Sequence, residues 1–170
     1  MENIRLFTRR NNLLIRIAVL MLLVSLSALL HSQAPADFSG TWVQDSSKSD
    51  DFYKKFGITL TITQDEQYIT IKQNFYDRYG RDVTSSEIKI NLDGKETSKE
   101  EYGGINRESA SWSADKKVLT TRSTRTVGKN VYGSTTSYTL EENGQALVIC
   151  TADIINPSGK KMTQYLNRKK

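Results

Sequence analysis

From residue 58 onward, apolar side chains recur at every second position, in segments of about six to ten residues broken by turn formers. Ile58, Leu60 and Ile62 alternate with Thr59, Thr61 and Thr63, and after Asp65-Glu66 the pattern resumes with Ile69 and Ile71 against Thr70 and Lys72. A period of about two residues is that of a strand with one face buried, not of a helix. The chain is therefore all-β. These two segments form a hairpin whose second strand continues through Gln73 and Phe75. Further strands are expected near 82–91, 95–102, 105–112, 117–127, 131–140, 146–155 and 160–168. Their joints are Leu92-Asp93-Gly94, Gly103-Gly104, Ala114-Asp115-Lys116, Gly128-Lys129-Asn130, Glu142-Asn143-Gly144 and Asn156-Pro157-Ser158-Gly159. Each joint supplies Gly, Asn or Asp where a tight turn needs positive φ or an Asx hydrogen bond.

Joints this short exclude parallel crossovers, so successive strands lie antiparallel and side by side. A meander of about ten strands escapes its edge problem by closing, which favours an up-and-down barrel of about 8–10 strands. A two-sheet sandwich would need Greek-key connections that the loop lengths do not offer. One connection is longer, at residues 46–57. Ser49 suits an N-cap, Asp50 and Asp51 the first turn, Lys54 and Lys55 the last, and Gly57 a stop, which predicts a short helix after the first strand. Its Phe52/Phe56 face would cover the barrel mouth; the alternative is a surface loop with both rings tucked onto the rim.

Residues 1–36 read as a signal peptide: Arg5, Arg9, Arg10 and Arg16 precede an apolar run from Ile17 to Leu30, then the small residues Ala34-Pro35-Ala36. The run is short of the 18 or more residues of a membrane span. The expected product is residues 37–170, exported to the periplasm or outside the cell, with no stable membrane span. No cysteine near the junction would carry a lipid. Removing four Arg and one Glu lowers the net charge from +5 to about +2, which leaves little electrostatic footprint for nucleic acid. About 31% of the remaining residues are apolar, too few for an interior made only of hydrocarbon. Outward strand positions carry Thr, Lys, Asn and Gln, which argues against an outer-membrane barrel.

The single histidine, His31, lies in the leader, and the single cysteine is Cys150. A Ser-His-Asp or Cys-His catalytic group, a histidine or Cys-rich zinc site and an internal disulfide are all ruled out. Neighbouring acidic residues such as Glu100/Glu101 point to opposite faces of a strand, so no catalytic residue, metal ligand or cofactor is assigned.

Phe38-Ser39-Gly40-Thr41-Trp42 resembles the Gly-x-Trp signature of the first strand of lipocalins and related calycins. The whole of 37–170 is similar to small secreted bacterial lipocalin-like domains. That resemblance implies that Trp42 plugs one end of the barrel and that Arg168, in the last strand, packs across its ring. Gly40, Trp42 and Arg168 would then mark barrel closure. It also implies a lumen that takes small amphipathic or apolar ligands.

Strand phase assigns what faces that lumen. Ala110 and Trp112 carry Asn106 and Glu108 inward; Leu119 carries Thr121, Ser123 and Arg125; Tyr138 and Leu140 carry Tyr132, Ser134 and Thr136. The candidate ligand-binding residues are Arg125, Tyr132, Tyr138, Phe75, Ile69, Ile71 and Glu108. Arg125 with Tyr132 or Tyr138 would hold a polar or carboxylate head, and Ile69, Ile71 and Phe75 the apolar part. Two bland alternatives stand beside it: Arg125 pairs with Glu108, or the phase is shifted and both face water. The function these residues suggest is a non-enzymatic carrier of a small ligand; the alternative is an interaction or inhibitor module acting through its loops, with an unidentified protein partner.

Overall fold

Ten strands form among the described residues, and each is antiparallel to every neighbour it hydrogen-bonds. The computed structural model describes residues 34–155, 159 and 161–169. Most of the leader, and three residues of the 156–159 joint, lie outside the described residues. Residues from Pro35 onward make one unit.

The strands are β1 (Gly40–Gln44), β2 (Gly57–Gln64), β3 (Tyr68–Tyr76), β4 (Asp82–Asn91), β5 (Thr97–Glu101), β6 (Gly104–Trp112), β7 (Val118–Val127), β8 (Asn130–Glu141), β9 (Ala146–Asp153) and β10 (Met162–Arg168). Their spatial order is β4-β3-β2-β1-β10-β9-β8-β7-β6-β5. The first and last strands pair, with Trp42 opposite Arg168, so the sheet wraps into a nearly closed barrel. The break lies between β4 and β5, where the Leu92-Asp93-Gly94 joint had promised a hairpin. The Leu92 N–H donates to the Gln67 carbonyl, which extends the β3–β4 pairing one residue past Asn91. β5, with sequence TSKEE, brings no apolar side chain to offset the entropy of ordering it against β4.

In such a meander, alternate joints share an end of the barrel. One end is plugged. Phe38, Trp42, Ile62, Ile69, Leu119, Leu147 and Leu166 are almost wholly buried there, each contributing about 1.5–3 kcal/mol of transfer free energy. Phe38 stacks on Trp112 at 5.9 Å, and the Trp42 indole Nε1 donates to the Phe38 carbonyl at 2.9 Å. Gln64 fastens the incoming chain: its Oε1 accepts from the Phe38 N–H and its Nε2 donates to the Ala36 carbonyl. The Arg168 guanidinium lies 4.2 Å from the Trp42 ring centre, the contact that the Gly-x-Trp resemblance implied.

The expected helix at 46–57 is a single 3-10 turn, Tyr53–Lys55. Ser49 does not cap it. The Ser49 hydroxyl instead donates to the Asp45 carbonyl and accepts from the Tyr165 N–H, and the Asp50 carboxylate accepts from the Thr163 N–H at 2.7 Å. These bonds to β10 pin the segment as a run of turns and a bend, so no further helical turn forms.

Candidate ligand-binding lumen

Above the plug the barrel holds a half-open cavity of about 180 Å³. Leu60, Ile71, Ile88 and Ile149 form its apolar wall, and Tyr53, Gln73, Ser86, Thr136, Tyr138, Thr151 and Gln164 its polar one. Register explains the grouping. Leu60 faces Gln73 across β2–β3, and Gln73 faces Ser86 across β3–β4. On the far side Thr136 faces Thr151 and Tyr138 faces Ile149. All share one phase and one depth.

Much of the polar wall is joined by hydrogen bonds. The Thr136 and Thr151 hydroxyls stand 3.2 Å apart, Tyr53 bonds to Thr151, and Tyr138 bonds to Thr121. Gln164 Nε2 donates to Gln44 Oε1, whose own Nε2 donates to the Tyr53 carbonyl. Burial pushes the Tyr138 phenol up to about 12, against the smaller lowering from its bond to Thr121. Burial raises Tyr53 as well. Both results mark a site where a negative charge is poorly solvated.

Of the seven ligand candidates named from sequence, Ile71 and Tyr138 line this cavity. Ile69 lies in the plug, wholly buried. Phe75 sits nearer the mouth, edge-on to Phe56 at 6.4 Å. Tyr132 is more than half exposed at the rim. Arg125 has the inward phase, but its guanidinium is held at the β5–β6 turn, donating to Asn106 Oδ1 at 3.0 Å and to the Glu101 and Tyr102 carbonyls at 3.0 and 3.1 Å. Among the described residues no ion pair joins Arg125 to Glu108. Glu108 instead borders the groove over the β4–β5 break, a space of about 470 Å³ shared with Lys89, Lys99 and Glu101. Tyr53, Ser86, Ile88, Ile149, Thr151 and Gln164 were missed. Carrying the strand phase through β4, β9 and β10 finds the last five; Tyr53 comes from a segment with no strand phase.

Large apolar side chains also remain exposed, and they gather at the unplugged end: Phe52, Tyr79, Tyr102, Val131, Tyr132 and Ile155 lie in or beside the β1–β2, β3–β4, β5–β6, β7–β8 and β9–β10 joints. No helix among the described residues is long and apolar enough to cross a membrane.

An antiparallel barrel plugged at one end, with a mixed apolar and hydroxyl-lined lumen, is the architecture of the lipocalin-like barrels. A solved structure described as "REP1-NXSQ fatty acid transporter" is similar to this chain, with a TM-score of 0.53 and 11% identity, over 78% of this chain and 96% of that one. At that identity the likeness is one of fold. No protein-family profile matches the sequence, and no curated protein is similar to it.

Proposed function

We propose that this protein is an exported, non-enzymatic carrier that holds a small amphipathic or apolar molecule in its barrel lumen. The observation that carries the reading is the half-open cavity itself, placed between a solid plug and a mouth and walled by both hydrocarbon and hydrogen-bonding groups. A filled interior would have left no room for a guest, and sites of this kind are concave, partly apolar and largely pre-formed. The similar fold of a protein described as a fatty acid transporter supports it. The basic-then-apolar leader supports export to the periplasm or beyond.

A second reading has its own support. Exposed Phe52, Tyr79, Tyr102 and Tyr132 at the open end suit an interaction module working through its loops. Native mass spectrometry of the protein purified from the cells that make it separates the two. A small molecule retained in the native ion supports the carrier, and a stoichiometric protein partner with an empty lumen supports the module. Recovery of the unprocessed chain from the cytosolic fraction would overturn export.

A further inference from the structure

We infer that the lumen selects small uncharged molecules that carry a hydroxyl, carbonyl or carboxamide group on a compact apolar body. The inference rests on the carrier reading and narrows it to a ligand class.

The chemistry of the wall makes the selection. Every polar side chain lining the cavity is a hydroxyl or a carboxamide, and no Arg, Lys, Asp or Glu is among them. A bound carboxylate or ammonium would lose its water without gaining a counter-charge, which strongly disfavours either. Arg125, which has the inward phase, is committed to Asn106 and two backbone carbonyls of the β5–β6 turn. Lys89, Lys99, Glu101 and Glu108 lie along the groove over the β4–β5 break, which meets the cavity at Ile88 but does not line it with charge. The raised phenol of Tyr138 agrees, since the same surroundings resist a negative charge on the protein's own side chain.

Size narrows the class further. A dry engineered cavity of roughly 150 Å³ takes a benzene molecule. A space of about 180 Å³ thus has room for a single ring or a short chain within its walls. The polar contacts are available as well. Gln73 and Ser86 face each other across β3–β4, and among the described residues neither side chain hydrogen-bonds to another protein group, so a carboxamide and a hydroxyl are free to donate to and accept from a guest. Beside them Leu60 and Ile71, and across the barrel Ile149, offer hydrocarbon.

Matched ring-sized probes test this on the intact protein. Benzyl alcohol, benzamide and benzoate are titrated at pH 7 by ligand-observed NMR and calorimetry. The expected result is saturable binding of the two neutral probes, with benzoate at least tenfold weaker and gaining affinity as pH falls through its own carboxyl pKa. Gln73→Leu should weaken both neutral probes several-fold, and Ser86→Trp, made on an exposed strand, should block them. Benzoate binding as tightly as the neutral probes would overturn the inference while leaving the carrier reading standing. Binding of no probe by the folded protein, or neutral binding untouched by both substitutions, would overturn the two together.

Discussion

Arg168 carries more of the barrel's seam than its place near the C-terminus suggests. Besides covering the Trp42 ring at 4.2 Å, it donates from Nη1 to the Ser39 carbonyl at 2.7 Å and from Nε to the Gly144 carbonyl at 2.9 Å. Gly40 makes room for it: a Cβ there would stand 2.6 Å from Arg168 Nη1, and its φ of +135° is one that side chains rarely adopt. Arg168→Ala should therefore cost about 2–4 kcal/mol in urea unfolding at neutral pH, through the lost cation–π contact and two charge-assisted hydrogen bonds. Arg168→Lys should recover less than half, because one ammonium cannot reach both carbonyls and cover the ring. A loss below about 0.5 kcal/mol for the Ala variant would mean that the seam holds without it. Tyr138 gives a pH signature. Its phenol is raised to about 12, whereas in the unfolded chain it titrates near ~10. The unfolded state thus releases this proton first, so the stability it confers is complete below about pH 10 and is lost as pH rises toward 12, at about 1.4 kcal/mol per unit. Urea midpoints measured from pH 9 to pH 11.5 should fall accordingly, more steeply than in Tyr138→Phe; the shallower decline left in that variant belongs to Tyr53, which burial also raises, and to Lys48 and Lys99, which their carboxylate partners raise. Equal slopes in the two proteins would refute the assignment.

The strands themselves were legible because two local signals agree at each of them: alternation fixes the face, and Gly, Asn or Asp fixes the joint. Ile58-Thr59-Leu60-Thr61-Ile62 becomes the centre of β2 with Ile58, Leu60 and Ile62 buried and the two threonines turned outward. The β1–β2 connection was misread for the opposite reason. Its capping residues are genuine helix formers by local rules, but their partners are remote. Ser49 accepts the Tyr165 N–H at 3.0 Å across 116 residues, and Asp50 exchanges backbone and side-chain bonds with Thr163. No window of sequence contains both ends of such a bond. Ser49→Ala tests how much this fastening matters. It would leave the Tyr165 N–H, a group beside a buried serine, without its acceptor, at a cost of about 1–3 kcal/mol, and should loosen Tyr53 over the cavity. Ser49→Thr, which keeps the hydroxyl, should cost less. Chemical denaturation of the three proteins reads the first effect, and Tyr53-ring exchange broadening in NMR spectra reads the second. An unchanged midpoint for Ser49→Ala would show that water replaces the hydroxyl freely.

At the scale of the whole barrel, phase and depth are different kinds of information. Phase repeats every two residues and can be read from a single strand, which is why Ile71 and Tyr138 were placed facing inward and do line the cavity. Depth depends on how far each strand is staggered against the next, and that stagger accumulates through the register of nine strand pairs. Arg125 and Tyr132 oppose each other in one register row, but that row lies at the rim, several residues above the row in which Thr121 opposes Thr136. Closure has the same character. The Trp42–Arg168 pairing joins the chain ends, yet the ring stays open between strands that are consecutive in sequence. This break makes β4 the least secured long strand of the barrel: it pairs along one edge only, with β3, and of its ten residues Ile90 alone is fully buried. Amide hydrogen exchange should show it. The N–H groups of β4 that point away from β3 should exchange within minutes, while those of β9 and β10, paired on both edges, should approach the protection set by global unfolding. If the lumen is filled through this break, a saturating neutral guest such as benzyl alcohol should slow exchange in β4 more than in β9, because Ile88 borders both the cavity and the groove. Full protection of alternate β4 amides in the free protein would mean that another segment already pairs with that edge, and the route into the barrel would then have to lie at the Phe52–Tyr53 mouth.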